Sequence, residues 1–186
     1  MKGYLFSFVA LATVCCFAFT SCNGKDDKDE EAPLEFSVGS DVYNVKAALQ
    51  TIIPDGDTTF CMVALASDGL TYDAAAQTVT GTGYALVCEF AFPSTTKILP
   101  AGKYSVFTGT SNPPMGAMAV MVVEIKNGEM DETSTTYECT SGSMTVSKTD
   151  ETYTMDFSGK DKTGKDIKCH YKGVILYLPT TTGTVE

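Results

Sequence analysis

The chain has 186 residues, a formal net charge of −10, 13 lysines and no arginine. Nucleic acid needs a cationic stripe and bidentate phosphate recognition favours arginine, so the composition argues against a polyanion-binding protein. There is no tryptophan, which weakens a tryptophan-stacked sugar platform, and the single histidine, His170, is the only one on which acid–base catalysis by imidazole can draw.

The first residues, Met1, Lys2 and Gly3, make a short basic start. Residues 4–19 carry no charge and are mostly apolar, a run shorter than the roughly 20 residues of a spanning helix and suited to a secretory signal. Thr20 and Ser21, both small, lead to Cys22, where the apolar run gives way to polar chain; Cys15 and Cys16 lie inside the apolar run instead. Residues 1–21 therefore read as a signal peptide. The tetrapeptide FTSC (19–22) resembles the lipobox of bacterial lipoproteins, with Phe19 where leucine is commonest. That resemblance implies that Cys22 receives a diacylglyceryl thioether and becomes the acylated N-terminus. Several acyl chains on one residue, at about 0.8 kcal/mol per buried methylene, hold a protein durably at a membrane.

The next stretch, NGKDDKDEEAP (23–33), has five acids and two lysines and too little apolar surface to offset the entropy of ordering. Residues 22–33 are expected to be the lipidated cysteine followed by an acidic, disordered tether. Lys25, Asp26, Asp27, Lys28, Asp29, Glu30 and Glu31 also resemble the acidic export signal of Bacteroidetes surface lipoproteins. The resemblance implies display on the extracellular face of the outer membrane, with the periplasmic face as the alternative. Without residues 1–21, whose one charge is Lys2, about 165 residues and a formal charge of −11 remain, enough for a single domain over 34–186.

From Leu34 onward, alternation of period two dominates and no long helical stripe occurs. Strands are expected at 35–38, 42–51, 59–66, 83–92, 102–108, 117–125, 137–147, 153–158 and 165–178. Residues 47–53 also fit one helical turn, and 72–77, YDAAAQ, fit either state. Turn chemistry separates the strands at PDGD (54–57), SDG (67–69), KNG (126–128) and KTGK (162–165), and Gly102 in PAGKY offers a bend at positive φ. In the last meander, Met144, Val146, Tyr153, Met155, Phe157, Ile167, Cys169 and Tyr171 fall on one face, which a second layer must cover. Residues 117–123 are apolar on both parities, as in a strand buried on both sides. The expected fold is all-β, an antiparallel two-sheet sandwich, with a flattened lipocalin-like barrel as the alternative.

Outside the anchor, chemistry is sparse. No HExxH, GxSxG, P-loop or CxxC pattern occurs, so no enzyme, metal site or cofactor is expected. His170, between Lys168 and Lys172, reads as a solvent-facing residue. Cys61, Cys88, Cys139 and Cys169 are either unpaired core thiols or joined in one of three pairings. DKTGKD (161–166) suits a hairpin turn better than a calcium loop, which needs about six oxygen ligands. Met115, Met118 and Met121 suit core filling beside a proline-rich loop better than a ligand mouth. Tyr43 and Tyr72 are candidate sugar contacts.

Segments 81–107 (GTGYALVCEFAFPS…ILPAGKYSVF) and 141–173 (SGSMTVSKTDETYTMDFSGKDKTGKDIKCHYKG) resemble small β-sandwich lipoproteins of gut Bacteroidetes. That resemblance implies no catalytic residue. The function expected is a lipid-anchored, non-catalytic binding or accessory module. Its partners would be the membrane, through Cys22, and a glycan or an outer-membrane protein, with nucleic acid excluded. The alternatives are a fimbrillin-like structural subunit assembled by strand donation and a lipocalin-like carrier of a small apolar ligand.

Overall fold

Each alternating run of the sequence becomes a strand in the computed structural model, which describes residues 32–178 except 74, 77, 110–112 and 131–132. The strands are β1 (Glu35–Val38), β2 (Asp41–Asp55), β3 (Thr58–Ser67), β4 (Leu70–Asp73), β5 (Thr78–Gly81) and β6 (Gly83–Pro93). They continue with β7 (Gly102–Val106), β8 (Ala117–Ile125), β9 (Thr136–Thr149), β10 (Thr152–Asp161), β11 (Asp166–Val174) and β12 (Leu176–Leu178). No helix occurs among the described residues.

The fold is all-β, as expected, but it is not two stacked sheets. Nine strands close into one barrel, and β4 and β5 form a separate two-stranded sheet. Closure comes from β1, which pairs with β11 on one side and with β2 on the other. A closed ring leaves no long unpaired edge, which two open sheets would each expose. Two short strands, β7 among the nine and β12 beyond them, fill its seams. β7 wedges between β8 and β9 at one end, while at the other Val122 faces Tyr137 directly. β12 lies parallel to β2, with Leu176 opposite Leu49.

Several local expectations change. Residues 47–53 are strand throughout, with a register shift between Val45 and Ala47 in place of a helical turn. The final strand breaks at Ile175, which separates β11 from β12. Gly102 does not have positive φ; its missing Cβ leaves room for the Tyr104 ring, whose hydroxyl would lie 3.2 Å from a Cβ there. Of the 72–77 segment, Tyr72 and Asp73 end β4 and Ala75 and Ala76 form a turn, where Asp73 Oδ1 accepts hydrogen bonds from the Ala75 and Ala76 amides at 2.8 and 3.0 Å.

The inward faces meet in one core. Phe36, Leu65, Leu86, Phe90, Met118, Met144, Met155 and Ile167 are all essentially inaccessible within it. An interior of this strand number is about wide enough for its own side chains. Both ends are covered. At one, Leu99 is fully buried in the loop after β6, its carbonyl accepting from the Tyr153 hydroxyl at 3.3 Å and the neighbouring Pro100 carbonyl from Tyr104 at 2.7 Å. At the other, Tyr43 stacks between Phe36 (5.1 Å) and Tyr84 (4.6 Å). A smaller apolar cluster lies outside the barrel, where Leu70 and Val79 of the hairpin cover Ala66, Ala85, Met121 and Val123. That hairpin is the reason both parities of β8 are apolar. Met118 fills the core and Met121 packs under the hairpin, while Met115 is exposed.

The 161–166 segment is a hairpin turn built around a buried carboxylate. Asp161 accepts from the Thr163 amide (2.8 Å), the Thr163 hydroxyl (2.7 Å) and the Lys165 amide (2.9 Å). Burial alone raises the Asp161 pKa, but these donors outweigh it and hold the carboxyl below its usual range. A depressed folded-state pKa gives stability that is present above the unfolded value, about 3.9, and is lost as pH falls through the folded value. Asp161→Asn is therefore expected to be less stable than wild type at pH 6, with the difference shrinking toward pH 2. Urea midpoints measured across that range check this, and a difference that stays constant with pH refutes it.

Candidate functional site

Alternation in β1, β9, β10 and β11 sends every second side chain outward, and the register aligns them into two rows. Glu35, His170, Asp156 and Thr145 are successive cross-strand partners, as are Ser37, Lys168, Ser158 and Ser143. The two rows line a groove of about 440 Å³ on the outer face of the barrel. Its outward lining is hydroxyl, carboxylate, imidazole and ammonium, with no apolar side chain directed outward. The apolar partners on the same strands, Phe36, Phe157 and Cys169, belong to the core.

The hollow has a local cause in the sequence. Gly142 and Gly159 are direct cross-strand partners beside Ser143 and Ser158, and the register shifts just beyond them, between Lys160 and Asp161. Both glycines lie on the inward parity, so two neighbouring strands lose their inner side chains at one level. A Cβ on Gly142 would stand 2.6 Å from the Gly159 Cα, and one on Gly159 would stand 2.5 Å from the Phe157 ring. The aromatic ring folds over the bare backbone, and the bulge increases the bend.

At the centre of the groove His170 Nδ1 lies 2.7 Å from Asp156 Oδ1. The bond fixes the ring and leaves Nε2 for the groove. Glu35 is the partner of His170 on its other side. His170 is thus outward-facing, as expected, but it is half-buried and held rather than loose in solvent. Among the described residues no three His, Cys, Asp or Glu side chains stand together as ligands of one metal ion.

The other candidates fall elsewhere. Cys61, Cys88, Cys139 and Cys169 are free thiols buried in the core. Burial pushes Cys61, Cys139 and Cys169 up to about 12 and Cys88 well above the ordinary thiol range, so none supplies thiolate near neutral pH. Tyr43 and Tyr72 are not brought together, since Tyr72 belongs to the outer hairpin. Tyr43 instead joins Tyr84 and Tyr137, all three packed against the core. Burial first, then the neighbouring Tyr84, raises the Tyr43 phenol to about 12. Burial and then Glu124 raise Tyr84, and Lys165 Nζ sits 5.1 Å from the Tyr137 ring. These rings spend their faces on one another and on Lys165, so they cap the barrel rather than offer a stacking platform.

Cys22 and the export-signal positions Lys25, Asp26, Asp27, Lys28, Asp29, Glu30 and Glu31 lie outside the described residues. The groove residues Glu35, Ser37, Ser143, Thr145, Asp156 and Ser158 carry no signal in the sequence, where each is one more polar residue of an alternating strand, and Lys168 enters there only as a neighbour of His170. Comparison with protein-family models, curated proteins and solved structures finds no match for the chain.

Proposed function

We propose that this chain is a lipid-anchored outer-membrane protein of the Bacteroidetes surface type, a non-catalytic module that binds glycan through the outer groove of its barrel. The observation that carries the reading is the contrast between the two faces of β1, β11, β10 and β9. Inward, the barrel is occupied by its own side chains, which leaves a carrier of apolar ligands no room. Outward, the same strands present a polar hollow of ligand size. Protein interfaces centre on buried aromatic or aliphatic anchors, which this lining lacks. Carboxylates and hydroxyls at close spacing suit the alternating donors and acceptors of sugar hydroxyls, the carboxylates forming the stronger, charge-assisted bonds.

The anchor and the export signal rest on Phe19 to Cys22 and on the acids that follow. An acidic tether is repelled by anionic headgroups and holds the groove clear of the membrane. Cys22→Ala is expected to abolish palmitate labelling and release the protein from membranes. Neutral replacement of residues 26–31 is expected to abolish surface display. A labelled, membrane-bound Cys22→Ala product refutes the anchor, and undiminished display refutes the export signal.

Binding is tested on a broad glycan array with the mature chain, residues 22–186, beside Asp156→Ala and Lys168→Ala variants whose folding is checked by circular dichroism. Binding of one glycan class by wild type, lost in both variants, is the expected result. A blank array, or binding indifferent to both substitutions, overturns the reading.

A further inference from the structure

Granting that the groove binds glycan, its register also specifies what length and lie of ligand it takes. Four strands spaced about 4.8 Å apart make each row about 14 Å long, and the rows, two residues apart along each strand, are separated by about 7 Å. That frame divides into three successive gaps: Glu35 to His170, His170 to Asp156, and Asp156 to Thr145. Each gap has a matching pair in the second row, so every gap offers polar atoms on both of its sides. A pyranose ring in an extended chain repeats at close to the strand spacing, and its hydroxyls project from both edges of the chain. The row spacing is that of a ring with its hydroxyls.

We propose that the groove takes a linear, neutral oligosaccharide of three residues laid across the strands, one ring resting over each gap. Neutrality follows from the charges. Glu35 and Asp156 face Lys168 and an imidazole already bonded to Asp156, so no single sign lines the groove to select a charged chain. In the central gap His170 and Asp156 are bonded to each other, so the middle ring rests over that bonded pair. Glu35 and Thr145 stand at opposite ends and each touches only the terminal ring on its own side.

The test is calorimetric titration of the mature chain, residues 22–186, with purified neutral oligosaccharides of one to six residues from the gluco, xylo, manno and galacto series. In the series that binds, affinity is expected to climb from one residue to three and to change by less than about twofold from three to six, since further rings find no hydrogen-bonding partner. Thr145→Ala is expected to weaken the trisaccharide by about fivefold, the worth of one neutral hydrogen bond, and Glu35→Ala by about tenfold or more, because the bond it loses is charge-assisted. Both are expected to leave the disaccharide unchanged, because it can occupy the two gaps that remain. Affinity that keeps climbing to five or six residues, or that is already complete with one, overturns the three-ring inference while the glycan reading stands. The same holds if either end variant weakens the disaccharide as much as the trisaccharide. No binding in any series, with the protein folded, overturns the glycan reading and this inference with it.

Discussion

Gly142→Ala is expected to destabilise the protein by about 2–6 kcal/mol, the sum of a strained backbone at about 1–3 kcal/mol and overpacking of similar size. Two independent observations require the glycine. Its φ is +142°, where L side chains are strained, and a Cβ would lie 2.6 Å from both the Gly159 Cα and the Ser158 carbonyl oxygen. Backbone cannot swing aside as the end of a flexible side chain can, so two paired strands would have to separate at the floor of the groove. Gly164→Ala is the matched control. Its φ is +85° but nothing lies within 4 Å of the added carbon, so strain acts alone, at about 1–2 kcal/mol. In thermal melts, a mid-range loss of about 4 kcal/mol lowers Gly142→Ala by about 8–16 °C, on the basis of about 2–4 °C per kcal/mol at this size, and Gly164→Ala falls by a few degrees. Equal losses in the two variants would mean that the close approach of β9 and β10 does not constrain the barrel.

The same pair of strands shows how much was legible in sequence. Alternation placed Met144, Val146, Tyr153, Met155 and Phe157 on one inward face, and all are buried. Alternation is a property of one strand, however, and sandwich and barrel share it. What distinguishes them is the pairing of residues 35–38 with 167–170, across nearly the whole domain, and no local pattern announces that pairing. The double apolarity of 117–123 does not separate the two folds either. The strand is indeed buried on both sides, but its outer cover is the β4–β5 hairpin, so the pattern does not call for a second stacked sheet. That hairpin was itself obscured because the alanines of YDAAAQ favour helix, while Asp73 binds the following amides and makes only a turn.

The groove was less legible than the fold. Its lining comes from four strands separated by as many as 135 positions, and each outward residue is of a type that commonly faces water. His170 alone stood out, and its flanking lysines suggested a solvent face. Their outward direction was right, but Asp156 could be matched to His170 only after the register of β10 on β11 was known. The glycines carried a usable signal. SGS at 141–143 and SGK at 158–160 place a glycine inside two otherwise regular strands, a mark of bulges and close backbone approach. Reading them together would have located a bend, though not the side chains arrayed on its outer surface.

Phe90→Ala is expected to destabilise by about 3–5 kcal/mol, the usual range for a fully buried phenylalanine reduced to alanine. Phe90 is inaccessible, meets Tyr104 edge-on at 4.9 Å and faces Cys61 and Met118 across β3 and β8. Its removal takes a ring from the middle of the barrel, where the loop carrying Leu99 and the tyrosine cap restrict collapse from either end. A cavity lined by apolar groups stays dry and accepts a benzene-sized guest. Benzene should therefore raise the melting temperature of Phe90→Ala and leave that of wild type unchanged, since only a state with room inside gains from the ligand. This pair of melts also separates the two uses of a β-barrel. If benzene stabilises wild type as much as the variant, the interior already has space for a guest. The small-ligand carrier then becomes the better reading, and the groove becomes an ordinary outer face. If only the variant responds, the interior serves as scaffold and recognition belongs to the polar rows outside.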